Sequence, residues 1–500
     1  MTPLLTTPEQ HGFQDPTVEL NEKKLRRWLT GLPVLNAAES LRQVLGALEP
    51  LNEQQLAVDK RLALLLIYQA TFQRLYTAAE PTRLRQQPLS REQRQQTVDD
   101  VEALSLAMAN GFKLVVKALY AQGERRDRRT FGRVLRWTLQ ALVAALLHSY
   151  RFYRPEPGFV FLEINQVYRL ARHYGLHETT DSADQDAAQN SLAETYQAVC
   201  LLALSDPFSQ PEGAVDNCYR ALLRYADSTR VVPGNSWQGV PEGLYFIDLQ
   251  SDSRPRHCVR LESPVRGDDP YLIDARATLQ RMHRTLLELP ADRRRQRAEA
   301  IVLKALLPEV AAGDQRRSER RRDGRWIGLV TGLEAITRWL QARSRGETPR
   351  VSHWRVKDAS ASGYCLAWDE SSASELQVGA LVGVIADHDE TPQPLQLMVV
   401  RWVRDAREQG TELGVERVDG TPSLVRVRDS ADTAAAARPA LFMPSDAGRR
   451  VAARLVTPPQ LYRSNRGLVI YVGEREVAIR CGALIEQTPG FDCFDFTSGG

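Results

Sequence analysis

Apolar residues follow helical spacing through most of the first half of the chain. Leu25 to Leu29, then Leu41, Val44, Leu45 and Leu48, then Leu62, Leu65, Leu66, Phe72 and Leu75 each form a stripe along one helix face. A longer segment from Arg91 to Ala121 carries Val98, Val101, Leu104, Met108, Phe112, Val115 and Leu119 in the same rhythm. Further helices are expected over Phe131 to Tyr150, Phe159 to Tyr174, Ser191 to Leu204 and Ala214 to Ala226. Pro155, Pro157, Gly175, Pro207 and Pro211 punctuate them. After a loose tail over residues 1–20, rich in Thr and Pro, this pattern predicts an all-α domain over 21–230, built of antiparallel helix hairpins.

The period changes at Val231. Leu244 to Leu249 and His257 to Leu261 read as short strands, giving a small β insert over 231–274. Helical spacing returns through Leu279, Met282, Leu286 and Leu287, then Ile301, Val302, Ala305 and Leu306, a connector over 275–314. Beyond it, strands are expected at Trp326 to Val330, Val351 to Val356, Tyr364 to Trp368, Leu381 to Ala386, Leu395 to Val403 and Glu412 to Arg417, with a short helix at Gly332 to Leu340. Their lengths and turn spacing fit a small antiparallel barrel over 315–420. Strands at Leu424 to Val427 and within Leu468 to Ile485, plus an aromatic end at Phe491, Phe494 and Phe496, make 421–500 a β-rich extension. The fold class is α+β and multidomain, with an all-α N-terminal domain and a C-terminal antiparallel β-barrel.

Composition narrows the function classes. Five hundred residues allow about three domains. A formal net charge of +3 gives no global field for nucleic acid or a membrane surface. The longest apolar run, Ala141 to Leu147, is far short of the ~20 residues that span a bilayer, and no signal peptide opens the chain. Six cysteines without a C-x-x-C pair give neither a zinc ribbon nor a redox pair. A cytoplasmic protein is expected.

The basic signal is local. Arg316, Arg317, Arg320, Arg321 and Arg322 crowd one stretch and contain RxxxR in two registers, Arg316 with Arg320 and Arg317 with Arg321. Downstream, Asp358-Ala359-Ser360-Ala361-Ser362-Gly363 spells DxSxxG. Neither motif is specific alone. Together, in this order and ahead of barrel-forming strands, they resemble the signature of the PilZ domain, a bacterial family that binds cyclic di-GMP. Val399-Val400-Arg401-Trp402-Val403 and Glu412-Leu413-Gly414-Val415-Glu416 are similar to that family's final strand pair. The segment between the two motifs is longer than a minimal PilZ domain needs, and the excess, at the helix from Gly332 to Leu340, looks like an insertion after the first strand.

The resemblance implies a ligand site of Arg316, Arg317, Arg320, Arg321, Asp358, Ser360 and Gly363, with Arg317 and Arg321 the favoured register. The chemistry suits these side chains. Cyclic di-GMP carries two phosphates and two guanines, and an arginine fork pairs bidentately with phosphate or with the guanine edge and stacks on a purine. Asp358 can accept from guanine N–H groups or hold an arginine, the Ser360 hydroxyl can donate to phosphate, and Gly363 permits positive φ and a close backbone approach.

Other features read as structure. His173 and His177 have metal-ligand spacing, but Gly175 lies between them and an ordinary helix end explains them. Arg125, Arg126, Arg128 and Arg129, like Arg293, Arg294, Arg295 and Arg297, read as charged helix faces, not nucleic-acid sites. No Walker loop, G-x-G-x-x-G, G-x-S-x-G or metal-hydrolase motif is present. The resemblance therefore implies a cyclic di-GMP receptor without catalysis, cofactor or metal, passing its signal to a protein partner through the helical domain. The alternative is an interaction scaffold whose PilZ-like domain binds no nucleotide.

Overall fold

A computed structural model describes residues 3–12, 15–16, 18–33, 36–180, 190–234, 242–260, 269–289, 294–312, 320–368, 376–386, 394–405, 410–432, 434–445 and 452–498. The chain divides into two compact units, Met1–Gln315 and Arg316–Gly500.

In the first unit, the expected stripes become α1 (Glu22–Thr30), α2 (Ala37–Glu53), α3 (Val58–Ala78), α5 (Arg91–Ala121), α6 (Arg128–Arg151), α7 (Val160–His173), α8 (Leu192–Leu204) and α9 (Ala214–Tyr225), and a short α4 (Pro81–Gln86), which no stripe announced, stands between α3 and α5. Helix α5 is the axis. Ser90 and Gln93 cap it reciprocally, satisfying amide groups that a helix start leaves open. By length and composition α5 could cross a bilayer, but 67% of its apolar window is buried against the domain. The segment before α1 is held down: Leu5 is buried, and Thr6 donates its amide (2.8 Å) and hydroxyl (2.6 Å) to Glu163 on α7. Glu163 also pairs with Lys113 of α5 at 2.7 Å, the two side chains being 5% and 3% exposed.

A four-stranded antiparallel sheet is built onto these helices, in the order β1-β4-β2-β3, from β1 (Arg230–Pro233), β2 (Leu244–Asp248), β3 (Arg256–His257) and β4 (Pro270–Asp274). The strand expected from His257 to Leu261 is shorter than its pattern suggests. Only Arg256 and His257 pair with β2, and Cys258–Arg260 turns as a 3-10 helix; Leu261 lies outside the described residues. Behind the sheet, α10 (Arg276–Glu288) and α11 (Arg294–Ala312) pack on one another. The sheet loop also finishes α7. Phe159, in left-handed backbone with φ 62°, offers no side-chain cap, and Asp252 accepts the amides of Phe159 and Leu162, each at 3.0 Å.

The second unit holds two closed barrels. The first contains β5 (Arg321–Arg322), β6 (Trp326–Thr331), β7 (Ser352–Ala359), β8 (Gly363–Trp368), β9 (Leu381–Ala386), β10 (Gln396–Asp405) and β11 (Thr411–Arg417). Their order is β5-β7-β6-β9-β10-β11-β8, and β8 returns to β7 to close the ring, leaving β5 as an extra rung on β7. Trp354, Val356, Leu366, Val400 and Leu413 are buried in it. Helix α12 (Leu333–Ser344) follows β6.

The second barrel runs β12-β13-β14-β17-β16-β15. Its strands are β12 (Ser423–Asp429), β13 (Arg438–Met443), β14 (Arg454–Thr457), β15 (Gly467–Val472), β16 (Arg475–Gln487) and β17 (Asp492–Ser498). It has its own core, including Val427, Leu455, Leu468 and Phe494. A further core joins the barrels: Ile336 and Trp339 of α12 with Leu397 and Val399 of β10 meet Leu441, Met443, Val456 and Phe491.

Candidate functional site

The site forms where β5, the turn after β7, and the outer faces of β8, β11 and β10 come together. β5 lies antiparallel on the end of β7, with Arg321 opposite Ala359 and Arg322 opposite Asp358. The Asp323 amide continues this ladder by donating to the Lys357 carbonyl at 3.1 Å. Arg320 reaches Asp358 at 3.1 Å, with side chains 42% and 30% exposed. An ion pair that open is worth about 1 kcal/mol or less, so Arg320 and Asp358 can exchange partners at low cost.

The turn carrying Asp358 to Gly363 is braced from inside. The Ser360 amide donates to the Gly363 carbonyl at 2.8 Å, and the Ser360 hydroxyl lies 3.2 Å from the same oxygen and 3.3 Å from the Ser362 hydroxyl. The Arg417 amide donates to Ser362 O at 2.8 Å, tying the turn to β11. Gly363 is not among the positive-φ residues. What requires glycine is β11: a Cβ there would stand 1.9 Å from the Val415 carbonyl oxygen.

Strand register lines up the floor. Asp358 pairs with Cys365, Cys365 with Gly414, and Gly414 with Trp402. The residues alternating along β8 on this side, Gly363, Cys365 and Ala367, are all small. Burial, then the charges of Asp358 and Glu412, push the Cys365 thiol up to about 11, so it is a protonated packing group and no nucleophile. Longer side chains stand around this floor. Lys357 pairs with Glu412, a bond that raises the lysine's pKa, and Arg404 lies over the Trp402 ring, 5.6 Å from its centroid. Arg401 grips Glu416 at 2.7 Å and also Glu486 of the second barrel. Burial opposes the charge of Arg401, but bonds and charge from Glu486, then Glu416, hold its pKa above the ordinary guanidinium value. On the adjoining row Arg321, Ala359 and Tyr364 pair in sequence, and Arg325 sits 5.3 Å from the Tyr364 centroid.

Of the residues expected from sequence, Arg320, Arg321, Asp358, Ser360 and Gly363 lie along one edge of this floor. Arg316 and Arg317 lie outside the described residues. Arg322, Arg325, Tyr364, Arg401, Trp402 and Gly414 complete the surroundings and were not among the expected site residues. Arg322 was in the same arginine run, and Gly414 stands mid-strand between Leu413 and Val415. The two histidines at metal-ligand spacing face different rings, His173 edge-on to Tyr174 and His177 edge-on to Tyr168.

Residues 334–419 match the family described as the middle PilZ domain of the cyclic-di-GMP receptor FimW. The middle of the chain is thus similar to a PilZ domain. It stands between two further matches, residues 23–234 to the FimW N-terminal domain and residues 424–498 to the FimW C-terminal β-barrel domain. The curated cyclic-di-GMP receptor FimW of Pseudomonas aeruginosa is 22% identical over an alignment 573 positions long, covering 98% of this chain and 92% of the relative. The PilZ match takes in the Asp358 turn, Trp402 and Gly414, whereas the arginine arm precedes its first residue.

Proposed function

We propose that the protein is a receptor for cyclic di-GMP and catalyses nothing. The observation that carries this reading is the Arg320–Asp358 pair at the edge of the small-residue floor: Arg321 and Arg322 lie along the turn as a strand, and the charge of Arg320 beside them is held by an open contact. Arg320, Arg321 and Arg322, with Arg316 and Arg317 ahead of them in the chain, offer forks for phosphate and for the guanine O6 and N7 edge. Asp358 accepts from guanine N–H groups and Ser360 donates to phosphate. The receptor works in the cytoplasm, and its helical N-terminal domain carries the signal to a protein partner. The relative's description as a cyclic-di-GMP receptor supports the ligand.

The test is isothermal titration of cyclic di-GMP into the full chain, with GTP as control and with the Arg317→Ala/Arg321→Ala and Asp358→Ala variants. Saturable binding by the unaltered protein, lost in both variants, is the expected result. An unaltered protein that takes up no cyclic di-GMP refutes the receptor reading and leaves the scaffold.

A further inference from the structure

We propose that Arg401 is a ligand-responsive clasp: it fastens a hairpin of the second barrel to the edge of the ligand face, and an anionic ligand on that face draws it away. The inference rests on the receptor reading and goes beyond it by naming the part of the molecule that senses occupancy.

The geometry is specific. Glu416 is the register partner of Gly363, the last residue of the turn, and the neighbouring Arg417 amide bonds to Ser362. Arg401 therefore holds a carboxylate at the rim of the floor, through Nε at 2.7 Å. Its other nitrogens run to Glu486, with Nη2 to Oε2 at 3.1 Å, across 85 residues of sequence. Glu486 stands just before the turn linking β16 to β17, which the Thr488 amide closes on the Phe491 carbonyl at 2.9 Å. Phe491, on the far side of that turn, is 1% exposed in the core shared by the barrels. One hairpin is thus held at both ends, by an apolar anchor at Phe491 and an ionic one at Glu486.

The two anchors respond differently to a ligand with two phosphates. The apolar contact is indifferent to charge. The guanidinium, 42% exposed and shared between two carboxylates, meets a competing acceptor of the same geometry. An anion placed beside Glu416 also repels both carboxylates. Arg401 turns to the ligand, Glu486 is released, and the arm of the hairpin carrying the exposed Leu484 and Ile485 loosens while Phe491 stays seated.

Arg401 is here a positioning residue, so the test needs a readout that mere structure would not move. The full chain is titrated with cyclic di-GMP as the unaltered protein, Glu486→Gln and Arg401→Lys, and amide exchange is followed over 484–488 with and without ligand. Glu486→Gln removes the competing charge and is expected to tighten binding by about two- to fivefold, the range a half-exposed ion pair carries. Arg401→Lys, which cannot bridge the same oxygens, is expected to weaken it. Exchange over 484–488 should rise on ligand addition in the unaltered protein and be already high in Glu486→Gln. Normal binding by the unaltered protein, with unchanged Glu486→Gln affinity and unmoved exchange, overturns the clasp alone. Absence of binding by the unaltered protein removes the receptor reading and the clasp together.

Discussion

The indole of Trp402 lies on the bare backbone of Gly414: a Cβ at that glycine would stand 2.0 Å from Trp402 Nε1. Gly414→Ala must therefore push the indole off β11 and disturb the middle of the floor. Overpacking of this kind costs about 1–3 kcal/mol. Denaturant unfolding should show that loss, and cyclic di-GMP titration of the still-folded variant should show weakened binding.

Arg320 and Asp358 present the opposite balance. Their pair is open to solvent, so Arg320→Ala is expected to change stability by under about 1 kcal/mol. If Arg320 bonds to an ionised ligand, its loss costs binding about 1.5–3 kcal/mol, roughly ten- to a hundredfold. A normal melting temperature with a strongly raised Kd is the signature to look for.

The buried Lys113–Glu163 pair tests the helical domain. Burial lowers the Lys113 pKa, and Glu163 works to restore its charge. Lys113→Met strands a buried carboxylate whose remaining partner among the described residues is Thr6. A loss of about 3–5 kcal/mol is expected. Glu163→Gln in the same background removes the stranded charge and should recover much of it, as urea midpoints would show.

His177 gives a pH dependence. Burial lowers its pKa below 6.5, with Glu178 opposing and Arg172 assisting. The unfolded chain therefore binds the proton more readily than the folded one. This contribution to stability is complete above pH 6.5 and is lost as pH falls from there through the depressed folded value. His177→Gln should flatten the unfolding free energy over that window.

Elements held by local pattern were the most legible. Amphipathic spacing located the longer helices of the first unit, because each buries one face and the stripe repeats over several turns, whereas the six-residue α4 is too short to show one. The strands β13 and β14 carried no such signal. β14 has four residues, too few for alternation to register, and β13 opens on Arg438 and Pro439. The candidate site divides in the same way. The arginine run and the Asp358 turn are contiguous words in the chain. The pairing of Gly414 beneath Trp402 depends on strand register, and that of Arg401 with Glu486 on the docking of one barrel against another. Even the reason for Gly363 was non-local, since the Val415 carbonyl excludes a side chain there.

The core shared by the two barrels bears on how such a chain can be inherited and handled. Ile336, Trp339, Leu397 and Val399 find part of their cover in Leu441, Met443, Val456 and Phe491. A gene fragment ending near Asp419 would translate into a PilZ barrel with an oily flank, prone to self-association. The C-terminal barrel is in this sense a sheath for its neighbour, and the two are expected to stay soluble only when expressed together.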